Sequence, residues 1–513
     1  TEAAITVSID FENLEQRTMV LPAEANNYSN LAVTKDAVLA IRNDQNDKDL
    51  IIISLKESEG PKIISPSIDD YVVSANGEKI LVNSGKSYAI IDSKEKQNPK
   101  DSLLDLSTMQ FKVDPRIEWQ QIYVDAWRVA RDWFYDPALH GNDWKKIRNR
   151  YQPMVDAISH RSDLDYILGE LGGELNAGHT YIQSGDQPKV TRINGGLLGA
   201  ELSKDASGYY RIEHIFNGEN WHKAFRSPLT EVGVNASVGN YLLAIDGRST
   251  AEVDNIYELL ENKSDRQVTL TLNTKPITKD SWTSVIRPTD SETPLRYLDW
   301  VNERTRRVNE LSGGRIGYVH LPNTHIPGNR ELFKQFLPQI EKDALIIDDR
   351  YNGGGFIPDR MMELLGRKTM NYWKRRGMKP NATPLIAHDG PKAMLINGYS
   401  SSGGDALPYY FRQMGLGKLI GTRTWGGLIG ISGAPQLVDG GLLLPPTFRI
   451  MDTKGNWVVE NEGVSPDIEV IDRPELIFQG KDPSLERAVK ELMQSLQENP
   501  RKNIKAPPSP TKF

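Results

Sequence analysis

The sequence predicts a multidomain α+β protein in which a sheet-rich start, a helical stretch, a compact β module and an α/β second half follow one another. Three observations carry this. A chain of 513 residues is too long for one ordinary domain, and three or four are expected at about 100–200 residues each. The spacing of apolar residues changes from alternation to a helical period near Leu103. From about residue 277, short apolar runs alternate with helical stretches, the pattern of an α/β layer.

Composition narrows the function classes. Apolar residues make up 38% and charged residues 25%, with a formal net charge of -6, as in soluble globular proteins. Basic residues are dispersed apart from Lys374, Arg375, Arg376 and Lys379, so no nucleic-acid partner is expected. The absence of cysteine excludes disulfides, thiol nucleophiles and Cys-based metal sites. No histidine stands in a spacing such as HExxH, and neither metal nor cofactor is expected. No apolar stretch approaches the roughly 20 residues that span a bilayer. The start, TEAAITVSID, has no basic segment followed by an apolar run, so a signal peptide is expected to have been removed or never to have existed.

Residues 1–100 read as strands, in ITVSIDF, AVLAIRN, DLIIISL and YVVSANGEKILVNSGKSYAIID, with Asn76-Gly77 and Ser84-Gly85 at hairpin positions. Such strand groups without a closed core predict the end of a β-propeller whose earlier blades precede residue 1, because a blade buries its faces against neighbours. Residues 101–189 form a helical subdomain. Trp119, Ile122, Tyr123, Ala126, Trp127, Ala130 and Phe134 make one apolar face, which Pro137 ends. A second helix covers 143–158, and a third, capped by Ser162-Asp163, ends near Leu175 and leads into Asn176-Ala177-Gly178-His179.

Residues 190–276 resemble a PDZ domain in the runs GGLLGAEL, GYYRIEHIF and VGNYLLAIDGRST, with Asn240 where aspartate is usual. The turn at 196–199, with Gly196 and Leu197, is similar to the carboxylate-binding loop with which such domains hold extended peptide ends.

In 277–498 the strands are GRIGYVHL, ALIIDDRYNGGG, PLIAHDG, AMLINGY, KLIGTRTWGGL and GLLLPPTFRI, with helices over 329–340, 360–365 and 406–414. The stretch NGYSSSGGDALPYYF puts three serines on a strand-to-helix turn, where Gly403 and Gly404 permit a sharp bend and leave N–H groups for an oxyanion. Residues 499–513, rich in proline and lysine, read as an extended tail.

His179, the turn Gly353–Gly355, Ser402 and Glu460 in VVENEGVSPDIEV, together with the run FYDPALHGNDWKKIRNRY, resemble the tricorn protease family, serine peptidases of the clan of the C-terminal processing proteases. The resemblance spans essentially the whole chain. It implies Ser402 as nucleophile, His179 as base and Glu460 as the supporting acid, with oxyanion donors from Gly403 and from the glycine turn at Gly354. Ser400 and Ser401 are alternative nucleophiles by composition, but the match of Ser402-Gly403-Gly404-Asp405 to the Ser-x-Gly-Asp end of the family motif favours Ser402; Glu462 stays open as the acid, since alternation cannot separate it from Glu460. Two positions depart from the family pattern: Gly178 stands where a serine precedes the histidine, and Gly403 where aspartate follows the nucleophile.

The family's taste for basic P1 residues comes through an acidic side chain between the glycine turn and the nucleophile. Here that region is NYWKRRGMKP, so Trp373 and Arg375 are expected to bind substrate and to favour apolar or acidic P1 residues. The implied function is a serine endopeptidase acting on unfolded proteins or oligopeptides through an acyl-enzyme on Ser402. The alternative is a catalytically silent peptide-binding scaffold. A homo-oligomer, hexameric by family resemblance, is implied, and a periplasmic location is preferred over a cytoplasmic one.

Overall fold

The computed structural model describes residues 9–44, 47–56, 59–356, 358–500, 504–508 and 511. The chain divides into two compact units, Thr1–Val113 and Asp114–Phe513.

In the first unit, Asn27–Val33, Ala37–Asp44, Asp47–Ser54 and Lys62–Ser65 form a four-stranded antiparallel sheet in sequence order. Asp70–Val73, Lys79–Ser84 and Ser87–Asp92 form a three-stranded one. Strand alternation sets the faces: Ile80 and Val82 are buried while Leu81 between them is exposed. Leu39, Ile41, Leu50 and Ile64 share a core with Tyr71, Ile80 and Val82. The hairpins fall at Asn76-Gly77 and Ser84-Gly85, where Gly77 takes φ 76° and Gly85 φ 62°, values open to glycine at little cost. The strand expected in ITVSIDF lies largely outside the described residues, and Ile9–Phe11 are not in a strand.

The second unit begins with helices α1 (Pro115–Trp133), α2 (Trp144–Ala157) and α3 (Arg161–Gly173). Asp114 and Asp143 cap α1 and α2 through their side chains. The cap of α3 is His160 rather than the expected Ser162-Asp163 pair. Its Nδ1 accepts the Ser162 N–H, and Asp163 accepts the His160 N–H in return. Ile122, Tyr123, Trp127, Ile147, Leu164 and Leu168 form the helical core, which Leu443 joins from far along the chain. The strand Tyr181–Gln183 pairs with Leu442–Leu444, so the segment that follows α3 is stitched to the α/β half. Next comes a six-stranded antiparallel sheet in the spatial order Trp282–Ile286, Val268–Asn273, Tyr241–Ile245, Tyr210–Ile215 and Ala200–Lys204, with Arg248–Ser249 beside Tyr241–Ile245.

The α/β half is a parallel sheet whose strands Ile316–His320, Ala344–Asp348, Lys392–Ile396, Gly417–Gly421 and Ile468–Glu469 lie in sequence order. Every residue of the first three is buried, as a sheet covered on both faces requires. Helices α5 (Ile326–Phe336), α6 (Pro358–Leu365) and α7 (Gly403–Gln413) connect consecutive strands and bury Leu332, Phe336, Met361, Leu407 and Phe411 on one face. Helix α4 (Thr293–Leu311) and the helix Pro483–Glu498 cover the other through Val301, Val308, Leu485 and Val489. Right-handed crossovers in sequence order keep α5, α6 and α7 on one side, and they bring every strand-to-helix turn to the same sheet edge. The expected strand PLIAHDG does not form. Helix α5 starts at Ile326 with Pro327 in its first turn, where the missing N–H costs nothing, rather than at Asn329.

Below that edge Arg350 is 3% exposed, with its guanidinium among Asp348, Asp472, Asp482 and the Ser484 hydroxyl. It fastens the end of a central strand to the start of the helix Pro483–Glu498. Replacing Arg350 with alanine leaves buried carboxylates without their cation. We expect urea unfolding to show a loss of about 3–5 kcal/mol; a loss under about 1 kcal/mol would contradict this account of the junction.

Candidate active site

Ser402 closes the turn between Lys392–Ile396 and α7, with φ 56° and ψ -113°, a strained conformation for a residue with a Cβ. Exposed serine nucleophiles on strand-to-helix turns adopt such a bend. The helix begins at Gly403, three residues before the expected Ala406, so Ser402 is its N-cap residue. Its N–H donates to Asp405 Oδ2 at 2.7 Å, and its Oγ lies 3.0 Å from His179 Nε2.

The other two serines are placed differently. Ser400 is fully buried and its hydroxyl donates to the Asp349 carbonyl at 2.7 Å. Ser401 Oγ lies 3.5 Å from the Asn352 carbonyl.

His179 follows α3 with φ 54°. Its ring is flanked by Trp425, centroids 5.6 Å apart, and by Tyr181 at 5.9 Å. Burial lowers its pKa below the ordinary 6.5, which keeps the imidazole neutral and Nε2 free to accept a proton. Nδ1 is buried with no partner among the described residues.

Of the two candidate acids, Glu460 is 4% exposed and Glu462 is exposed. Glu460 Oε1 accepts the Gly178 N–H at 2.7 Å, and Oε2 has no partner among the described residues. Burial raises the Glu460 pKa, against the opposing pull of the Gly178 and Leu428 N–H groups. The carboxylate therefore meets the backbone of residue 178 and not the ring of residue 179.

The serine turn and the glycine turn interlock. A Cβ on Gly403 would fall 2.0 Å from Thr324 Oγ1 and 2.6 Å from the Gly355 oxygen, and one on Gly354 would fall 2.6 Å from Ser402 Cβ. The aspartate usual after the nucleophile has no room beside Thr324. Gly354, expected as an oxyanion donor, spends its N–H on Asn352 Oδ1 at 2.9 Å. The N–H groups of Gly403 and Gly355 donate to no acceptor among the described residues. The free donor in the glycine turn is thus one residue beyond the expected one.

Asp405 ends the Ser-x-Gly-Asp run, which by itself assigns it no role. Its fully buried carboxylate accepts the N–H groups of Ser402, Gly426 at 2.8 Å and Gly427 at 3.3 Å. Burial raises its pKa, against the hydrogen bonds of Thr424 and these three N–H groups. The signal available was the Ser402-x-x-Asp405 spacing of a capping box.

The four residues expected to contact substrate lie on two other segments. Trp373 and Arg375 are exposed, on and just after the strand Asn371–Trp373, which pairs with Asn381–Thr383. They make no hydrogen bond, ion pair or ring contact with Ser402, His179 or Glu460. Gly196 and Leu197 donate their N–H groups to Leu260 and Thr289 carbonyls, at 2.8 and 2.7 Å. The next donors of that loop, Gly199 and Ala200, reach Oε1 of the buried Glu292 at 2.8 and 3.3 Å, and Arg296 holds Oε2 at 3.0 Å. A carboxylate of the chain itself fills the place expected for a peptide end.

Family models match three successive segments: the tricorn protease C1 domain at residues 115–173, the tricorn protease PDZ domain at 196–290 and peptidase family S41 at 315–470. Tricorn protease homolog 1 of Streptomyces coelicolor is 32% identical, over 98% of this chain and 48% of that protein. The tricorn protease of Thermoplasma volcanium is 29% identical, over 95% of this chain and 48% of its own. Among solved structures, the crystal structure of the tricorn protease superposes with a TM-score of 0.82 at 27% identity, covering 92% of this chain and 47% of that one. The chain spans about half the length of these relatives. With C1, PDZ and S41 peptidase domains in that order, it belongs to the tricorn protease family.

Proposed function

We propose that this chain is a serine peptidase that cleaves unfolded proteins or oligopeptides through an acyl-enzyme on Ser402. The observation that carries the reading is the 3.0 Å approach of Ser402 Oγ to His179 Nε2 on a strained turn beside two free N–H donors. In this reading, His179 Nε2 takes the hydroxyl proton as Oγ attacks the peptide carbonyl, and the oxyanion forms against the Gly403 and Gly355 N–H groups. The imidazolium then gives its proton to the leaving amine. Water, deprotonated by the same nitrogen, releases the acyl group. Glu460 supplies negative charge next to the base and favours the imidazolium.

The silent-scaffold alternative draws less support, because Glu292 already occupies the PDZ loop that would hold a peptide end. The finer expectations belong to the same reading. The four-stranded antiparallel sheet in sequence order is the arrangement of a propeller blade, so the first unit is read as the end of a propeller. A hexameric ring, a periplasmic location and loss of a basic P1 preference are carried as part of the proposal.

Ser402→Ala is expected to lower kcat on a mixed peptide library by at least about 10⁴-fold, while Ser401→Ala stays near wild type. If a fluorophosphonate leaves Ser402 unlabelled and Ser402→Ala cleaves like wild type, the enzyme reading falls.

The pH profile tests the base. Protonation removes the acceptor at Nε2, and burial depresses the His179 pKa, so the neutral base persists to lower pH. The acid limb of kcat/KM should therefore lie below 6.5; a limb above it would place the base elsewhere.

For the acid, Glu460→Gln should reduce kcat by about tenfold or more, with Glu462→Gln within about twofold. Equal effects would remove Glu460 from its role.

A further inference from the structure

A cavity of about 380 Å³ opens between α5 and α6, lined by Ile326, Asn329, Arg330, Phe333 and Arg360. Its lining segments leave the turns that carry the proposed oxyanion donors. Ile326 follows His325, and a Cβ on Gly355 would fall 2.7 Å from His325 N. Phe356, next after Gly355, meets the His325 ring edge-on at 6.0 Å. The two segments that form the cavity are therefore the ones that leave the glycine turn and the Thr324 turn packed on it.

Among the described residues, none neutralises the charge of this cavity. Arg330 and Arg360 are both exposed, and neither has an ion pair or hydrogen bond among the described residues. Arg304, Arg307, Arg315, Arg350 and Arg412 of this half are held in ion pairs, whereas Arg330 and Arg360 are the two guanidinium groups that share one cavity. The neighbouring acid Glu331 accepts a hydrogen bond from Gln335 on its own helix and forms no ion pair with either guanidinium. Ile326 and Phe333 give the same cavity an apolar side.

The geometry points to a carboxylate-binding subsite for the substrate peptide. Arg330 and Arg360 receive an acidic side chain or a C-terminal carboxylate, and the apolar side takes its methylene stem. A guanidinium presents a planar fork that matches a carboxylate with two parallel hydrogen bonds. An uncharged side chain gains only the apolar contact, and a lysine or arginine there meets two like charges. This inference rests on the peptidase reading, but its cations are not those of the exposed 371–380 segment.

The test separates the two. Fluorescein-labelled peptides are bound to Ser402→Ala protein and followed by anisotropy: a glutamate peptide and its glutamine counterpart, and an acid-free peptide with a free or an amidated C-terminus. The carboxylate form is expected to bind about ten- to a hundredfold tighter than its amide. That preference should disappear in the Arg330→Ala/Arg360→Ala double variant and shrink in each single one. Glutamate over glutamine assigns a side chain, and free over amidated assigns the chain end. Equal affinities within both pairs, or a preference that survives the double variant, would overturn the subsite. If wild type cleaves no peptide yet the carboxylate preference persists and depends on both arginines, the peptidase reading falls and the subsite stands.

Discussion

The candidate site depends on one buried carboxylate. An ionised acid taken out of water is tolerated only if donors replace its hydration, and Asp405 has four: the N–H groups of Ser402, Gly426 and Gly427 and the Thr424 side chain. These come from two segments far apart in sequence. The second carries Trp425, which packs on His179, and its Gly426 carbonyl accepts the Asn461 N–H beside Glu460. One carboxylate thus sets the bend of the serine turn and the position of the loop that bears on both the histidine and the acid.

A second constraint is steric. Thr324 packs where a side chain at 403 would stand, and Ser402 packs where one at 354 would stand, so the two turns approach as bare backbone. That contact leaves Gly403 and Gly355 N–H groups together and unspent. The exchange of aspartate for glycine after the nucleophile goes with Thr324: each occupies space the other residue pair would need. The strain at Ser402 is held by this packing and by the Asp405 bond, which is how an unfavourable conformation persists in a folded chain.

Much of this was legible in the sequence, and the failures share a cause. Apolar runs such as AMLIN and ALIID became fully buried parallel strands because both faces of the sheet are covered. The glycine turn, Ser402 and His179 are marked by residue type and order, and the fold brings them together. What was missed depends on contacts between distant residues or on local backbone. The N–H of Gly354 is spent, and that of Gly355 is not, because the Asn352 side chain folds back on its own turn. The PDZ loop is filled by Glu292, 93 residues beyond Gly199, which no local pattern reveals. Alternation failed to choose between Glu460 and Glu462 because Val459 and Asn461 take φ 72° and 62°; this is not a strand, and the two acids leave it on different sides.

Gly178 changes how the histidine is held. Glu460 directs Oε1 to the Gly178 N–H, while Oε2 and His179 Nδ1 are both buried without a partner among the described residues. In a serine triad the acid fixes the ring by a hydrogen bond to Nδ1. Here the ring is oriented by packing between Trp425 and Tyr181 and by the left-handed backbone of His179 itself. Glu460 is held instead by the backbone of residue 178, and burial is what shifts the His179 pKa, downward. Ring orientation, which a hydrogen bond to the acid supplies in a triad, falls here to two aromatic rings, while the carboxylate is held by the backbone.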